Sequence, residues 1–239
     1  MVIVFDLDDT LYDEMTFVNS GLLAVSEYLE SSFMIPLVAS RGFIKDRIKY
    51  GREGILDDVL KHFSLYSKKN VKRCLSIYRG HKPEIHIYPD AELCLNGLSR
   101  YPKYIVTDGN KLVQHNKVAA LDLYNKVDFV FITHRYGLKH AKPSPYCFYK
   151  ICEREKASPD QVVYIADNPD KDFVGIKPLG FKTIRVLQGP YRNLKKPPEF
   201  EADCNISSLA ELDAQLLQRI TSRELRKGWD IDAGDQYGR

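Results

Sequence analysis

Five short runs of β-branched and aromatic residues, separated for the most part by stretches of helical length, constrain the fold of this chain more than any other feature. The runs are Val2 to Phe5, Tyr104 to Thr107, Val127 to Ile132, Val162 to Ala166 and Lys182 to Leu187. Such compact apolar runs read as strands. The segments Ala91 to Leu98, Leu112 to Leu121, Pro145 to Glu155 and Asp170 to Leu179 have the length of crossover helices, and Leu209 to Ile220 closes the pattern as a last helix. Strands alternating with helices require a parallel sheet covered on both faces, so the chain is predicted to be an α/β protein.

One interval breaks this rhythm. Between the first strand and the helix at Ala91 lie some eighty residues without a convincing strand. Val18, Leu22, Val25 and Leu29 fall at i, i+4, i+7 and i+11, and Ile55, Leu56, Val59, Leu60 and Phe63 make a second helical stripe. Val71, Leu75 and Tyr78 suggest a third. Residues 14–82 are therefore expected to form an all-α insertion that divides an α/β core of residues 1–13 and 83–221. Leaving from the first strand, it is placed to act as a lid over the carboxyl ends of the strands. Gln188 to Asp203, with Gly189, Pro190, Pro197 and Pro198, reads as a long connecting loop, and residues 222–239, which hold the only tryptophan, Trp229, read as a frayed tail.

The bulk numbers narrow the function classes. A hydrophobic share of 44% against 28% charged residues excludes disorder on a large scale. The balance of 35 basic to 32 acidic residues, a net +3, is too weak for a nucleic-acid footprint, whereas a small anionic substrate is compatible with it. No apolar run reaches eighteen residues and no basic segment precedes the first strand, so neither a membrane span nor export is expected. The five cysteines are scattered and form no C-x-x-C pair, which suits reduced, buried thiols and a cytoplasmic location.

Chemistry gathers at the strand ends. Asp6-Leu7-Asp8-Asp9-Thr10 closes the first strand, and residues two apart on an extended chain point to the same side, so Asp6 and Asp8 project together. Two adjacent carboxylates repel unless a cation or a shared proton offsets them. Alternatively the acids serve a turn or a helix cap. The second run ends in Thr107-Asp108-Gly109-Asn110, a turn with N–H groups to offer an anion, though a plain turn explains Asp108-Gly109 equally. The fourth ends in Asp167, with Asn168 behind it and Asp172 five positions on. Lys142-Pro143 precedes the helix near Pro145. On the insertion, Lys45, Lys49 and Arg52 fall at i, i+4 and i+7 beside Arg41, a basic helical face that either meets solvent or grips a second anionic group of a substrate. The six histidines make no ligand set. Tyr12 and Glu14 lie near any hinge of the insertion.

Acids at the ends of the first and fourth strands, a hydroxyl at the second and a lysine ahead of the fourth resemble the haloacid dehalogenase superfamily, most specifically in the run Val-Phe-Asp-Leu-Asp-Asp-Thr-Leu at positions 4 to 11. The likeness extends to about residue 213 and includes Ile87 to Ala91 and the helical insertion, which resembles the cap of the helical-cap phosphatase subgroup. It implies a Rossmann-like core with an inserted all-α cap and hydrolysis of a small phosphorylated metabolite. Asp6 matches the nucleophile that forms an aspartyl-phosphate, and Asp8 the general acid and base. Thr107, Asp108 and Lys142 match the phosphate-binding positions. Mg²⁺ is expected on Asp6, the backbone carbonyl of Asp8 and Asp167, with Asp172 and Asn168 behind them. Asp-Gly-Asn after Thr107, where many relatives have Asn, and Ala166, where many have Gly, depart from the pattern. The alternatives are a sugar phosphomutase using the same phospho-aspartate, a carbon–halogen hydrolase, against which Asp8 argues, and a scaffold without catalysis.

Overall fold

A computed structural model describes residues 1–222. Six strands form one parallel sheet: β1 (Val2–Phe5), β2 (Lys103–Thr107), β3 (Phe129–Ile132), β4 (Val162–Ala166), β5 (Lys182–Val186) and β6 (Cys204–Ile206). The α-helices are α1 (Glu14–Phe33), α2 (Leu37–Arg47), α3 (Ile55–His62), α4 (Lys68–Gly80), α5 (Pro89–Gly97), α6 (Lys111–Ala120), α7 (Tyr146–Glu155) and α8 (Ala214–Thr221). The sheet order is β3-β2-β1-β4-β5-β6, so the chain runs outward from β1 to β3 and then returns to the other side at β4. The fold is the expected Rossmann-like α/β class, and the strand order reverses between β1 and β4.

Residues of β1 alternate between the two faces, yet Val2, Ile3, Val4 and Phe5 are all buried. Both faces of the sheet are covered, which is why these strands read as continuous apolar runs. On one face Val2, Val4, Tyr104, Val106, Val162 and Tyr164 pack with Phe148 and Ile151 of α7 and with Phe173 and Phe181. At the usual ~25 cal/mol per Å², each such large buried side chain stabilises the fold by roughly 1.5–3 kcal/mol.

The described residues divide into two compact units. One holds the sheet: Met1–Tyr12, Ile87–Gly109 and the chain from Leu123 onward. The other is helical, Asp13–His86 with Asn110–Asp122. Its core is the stripe read from the sequence, Val18, Leu22, Val25 and Leu29 of α1, packed on Ile44, Ile55, Val59, Leu60 and Cys74. Helix starts are fixed by side-chain caps: Asp13 accepts from Met15 N, Ser67 from Asn70 N, and Asn110 from Leu112 N and Val113 N. The helix that follows β2, α6, belongs to the helical unit.

Several expectations need correction. Asp170 to Leu179 is not an α-helix; after a pair of turns only Lys177–Leu179 forms a single 3₁₀ turn. Pro178 has no N–H to give, and the Asn168 side chain accepts from Asp170 N, which favours a turn. The last helix begins at Ala214, capped by Asp213, not at Leu209. Cys204–Ile206 adds a sixth strand just past the predicted loop. The basic face also dissolves: α2 ends at Arg47, Lys49 pairs with Asp46 at 2.7 Å and Arg52 with Glu14 at 2.6 Å. Arg41 and Lys45 instead line a cavity of about 670 Å³ with α1 residues of the same unit. Residues 223–239, and with them nearly all of the predicted tail, lie outside the described residues. No described helix is long and apolar enough to cross a membrane.

Candidate active site

Asp6 follows β1 and Asp167 follows β4, the two strands that flank the reversal of the sheet order. Parallel pairing sets them side by side: Phe5 is in register with Ile165, and the N–H of Asp6 donates to the Ile165 carbonyl at 2.9 Å. Both acids are only 3% exposed. One carboxylate oxygen from each, with one from Asp172, lie within 4.8 Å of one another.

Lys142 reaches this group from the loop ahead of α7. Its Nζ donates to Asp6 Oδ1 at 2.6 Å and to Asp172 Oδ1 at 2.8 Å. Asp172 is further held by the Tyr164 hydroxyl at 3.1 Å on Oδ1 and by the Asn168 N–H at 3.1 Å on Oδ2. Both of its oxygens thus accept from protein donors, and the carboxylate orients Lys142. Asp6 Oδ1 is occupied by the lysine, whereas no donor among the described residues reaches Oδ2. The three acids outnumber the one lysine, which is bonded to two of them.

The electrostatics register that excess. Burial pushes the Asp6 carboxyl up to about 6 in spite of the adjacent ammonium. Burial, with the charges of Asp6, Asp172 and Asp9 adding to it, pushes Asp167 up to about 9. Burial opposes the charge on Lys142, but Asp172, Asp6 and Asp108 outweigh it and hold the ammonium above its ordinary range. A cluster of buried carboxylates that must otherwise keep a proton can hold a metal ion, and its all-oxygen donors suit a hard divalent cation.

Asp8 stands apart from this cluster in its bonding. It is half-buried, and Oδ1 accepts from the hydroxyl of fully buried Tyr12 at 2.6 Å. Thr107, the last residue of β2, is fully buried. The Asp108 side chain is engaged within the protein, while the phosphate-binding expectation concerns the N–H groups of its turn. Its carboxylate accepts from the Lys142 N–H at 3.1 Å on each oxygen and from the Thr133 hydroxyl, so only its backbone N–H is left to serve an anion. Asn168 uses its backbone on Asp172 and its side chain on Asp170 N.

Some supporting residues escaped the sequence reading. Arg185, 2% exposed, donates from Nε to the Asp167 carbonyl at 3.3 Å, from Nη1 to both oxygens of Glu201, and from Nη2 to the Tyr191 and Leu194 carbonyls. An arginine inside a run of strand residues was the available signal. Lys171, half-buried between Asp170 and Asp172, adds positive charge near Asp6 and Asp167. Gly175 packs directly on Pro143, and nothing in the sequence marks it.

The family model of the haloacid dehalogenase-like hydrolases matches residues 1–180. The chain belongs to this family. Among haloacid dehalogenase-like relatives, the glyceraldehyde 3-phosphate phosphatase of Methanocaldococcus jannaschii is 29% identical over 223 residues, covering 88% of this chain and 94% of that one. The (S)-2-haloacid dehalogenase 1 of a Pseudomonas species is 29% identical over 172 residues, 70% of each chain. The crystal structure of a 2-haloacid dehalogenase from Pseudomonas syringae shares the fold, with a TM-score of 0.64 at 20% identity over 92% of this chain and 99% of that one. This haloacid dehalogenase-like hydrolase thus has relatives of two chemistries, and the choice between them rests on its own residues.

Proposed function

We propose that the protein is a Mg²⁺-dependent phosphatase of a small phosphate monoester: a sugar phosphate, a nucleotide or an acidic-sugar phosphate. The observation that carries this reading is Lys142, held between Asp6 and Asp172 beside Asp167 at the reversal of the strand order. A relative whose alignment covers 88% of this chain and 94% of its own carries a phosphatase name. Asp8 favours phosphoryl transfer over carbon–halogen hydrolysis, because a phosphate ester needs its leaving oxygen protonated and a halide does not.

In this reading Asp6 attacks phosphorus with Oδ2, the oxygen Lys142 leaves open, and forms an aspartyl-phosphate. Asp8, oriented by Tyr12, gives its proton to the departing alcohol oxygen. The same carboxylate then takes a proton from the water that opens the intermediate. Lys142 and Thr107 hold the phosphoryl oxygens, where charge must be neutralised as the bond to the leaving group weakens. Asp6, the Asp8 carbonyl and Asp167 would hold Mg²⁺, which would supply further positive charge there and relieve the repulsion between the two acids. The helical unit inserted after β1 is assigned the choice among substrates.

The test is hydrolysis of p-nitrophenyl phosphate. Turnover is expected with Mg²⁺, is silenced by a chelator, and is abolished by Asp6→Asn; turnover that persists in Asp6→Asn refutes the nucleophile. A metabolite panel then identifies the substrate.

A further inference from the structure

The carboxylate of Asp108 has no obvious place beside a phosphate. Two like charges a few ångströms apart cost several kcal/mol at the effective dielectric of a protein site, about 4 kcal/mol at 4 Å. The geometry shows what the side chain does instead. Asp108 stands one residue past the end of β2, and its two oxygens share the backbone N–H of Lys142 at 3.1 Å each. The hydroxyl of Thr133, buried at the end of β3, donates to the same Oδ1. Three segments that are distant in sequence, the ends of β2 and β3 and the loop before α7, therefore meet at one carboxylate.

Lys142 is fixed at both ends by this arrangement. Its N–H is held by Asp108, and its Nζ by Asp6 at 2.6 Å and Asp172 at 2.8 Å. A long flexible side chain loses considerable rotamer freedom when it is ordered, and a fixed backbone origin reduces how much of that ordering must occur during reaction. A carboxylate suits the task better than a neutral group, since hydrogen bonds to an ionised acceptor are about twice as strong. Its charge is taken up by two donors on the side where they lie.

We propose that Asp108 is a positioning residue, which clamps the backbone of the Lys142 loop to β2 and β3 and so sets where the ammonium meets the transferring phosphoryl group. The proposal rests on the phosphatase reading for its kinetic consequence, not for the clamp itself. Asp108 acts through Lys142 and touches no substrate with its side chain.

Three substitutions separate this role from others. Asp108→Asn keeps an oxygen for the Lys142 N–H and stays within about tenfold of wild type in kcat/KM on p-nitrophenyl phosphate. Asp108→Glu keeps the charge but carries the carboxylate one methylene too far, and Asp108→Ala removes the acceptor; each loses about 10²-fold, the scale for displacing a catalytic group by about 1 Å. The loss appears in kcat and in weaker inhibition by inorganic phosphate. In a Lys142→Ala background, Asp108→Ala costs at most about twofold more, because the two act as one unit. A Glu variant more active than the Asn variant, or a loss that multiplies onto Lys142→Ala, overturns the proposal. A structural readout stands apart from activity: the Lys142 amide hydrogen exchanges slowly in the wild type and at least about tenfold faster in Asp108→Ala or Asp108→Glu, whichever folds. Equal exchange in all variants overturns the clamp, whereas an inactive wild type with this exchange pattern sinks only the phosphatase reading.

Discussion

Replacing Gly175 by alanine places a methyl carbon 1.8 Å from the carbonyl oxygen of Pro143 and 2.7 Å from its carbonyl carbon. Side-chain carbons do not approach within 3.0 Å of such atoms, so one backbone or the other must retreat by at least about 1.2 Å. Pro143 is bonded to Lys142, whose Nζ lies 2.6 Å from Asp6 and 2.8 Å from Asp172, distances with no slack for a shift of that size. Gly175 lies in the chain between Phe173 and Ile176, both part of the core beside the sheet, so a retreat of its backbone disturbs that packing. Overpacking of this kind costs roughly 1–3 kcal/mol of stability, or a fall in Tm of about 2–4 °C per kcal/mol for a chain of this size. A displacement near 1 Å costs catalysis about 10²-fold. Steady-state hydrolysis of p-nitrophenyl phosphate, read beside a thermal melt, separates the two effects: kcat/KM falls about a hundredfold in a protein that remains folded at the assay temperature. A folded Gly175→Ala with kcat/KM within about threefold of wild type refutes the reasoning, since it means the loop admits the methyl without moving Lys142.

Three further outcomes are expected. Tyr12→Phe removes the 2.6 Å hydrogen bond on Asp8 and lowers kcat about tenfold with KM nearly unchanged, because a hydrogen bond to a charged group contributes roughly 1.5–3 kcal/mol; an unchanged kcat removes Tyr12 from the mechanism. Asp167, pushed up to about 9, binds its proton more tightly in the folded chain than in the unfolded one, so in chelator stability falls as pH rises from the ordinary aspartate range toward 9. Mg²⁺ displaces that proton, and the rise in Tm on adding it is larger at pH 8 than at pH 6; a pH-independent rise contradicts the assignment. Arg185→Met leaves Glu201 without its bidentate partner and frees the Asp167, Tyr191 and Leu194 carbonyls, and lowers unfolding stability by about 3 kcal/mol in urea titration; a loss under about 1 kcal/mol shows the network to be dispensable.

The strands were readable because burial on both faces leaves little room for polar residues: Val2–Phe5 and Val162–Ala166 are found as expected, and the other three differ by one or two residues at an end. Helices with an apolar stripe, such as α1 and α3, were equally legible. Cys204–Ile206 was not, since a three-residue edge strand has too few residues to show a period, and it pairs with β5 only over Ile184 to Val186. Asp170 to Leu179 misled for a different reason. Local breakers, Pro178 and the Asn168 turn, already weaken a helix there, and Asp172, drawn to Lys142, Tyr164 and the Asn168 N–H, with Gly175 pressed on Pro143, sets the path through tertiary contacts.

The same distinction runs through the site. Asp6 and Asp167 were legible because parallel strands end at a common edge, so an acid after one strand and an acid after its neighbour meet without further instruction. Nothing in the chain announces that Lys142 is tethered at its N–H by Asp108, that Arg185 grips the carbonyl of Asp167, or that Gly175 must lack a side chain, for each of these joins residues whose separation in sequence carries no period. These unannounced contacts share one physical function: each fixes the backbone from which a charged group is presented. Burying several acids around one lysine is unfavourable unless every charge is held to within a fraction of an ångström, and in a low-dielectric pocket that precision comes from anchoring main chain as much as side chain. It follows that substitutions at the anchors should alter catalysis while leaving every acid and the lysine itself in place, which is the behaviour that separates a preorganised charge cluster from a mere collection of ionisable residues.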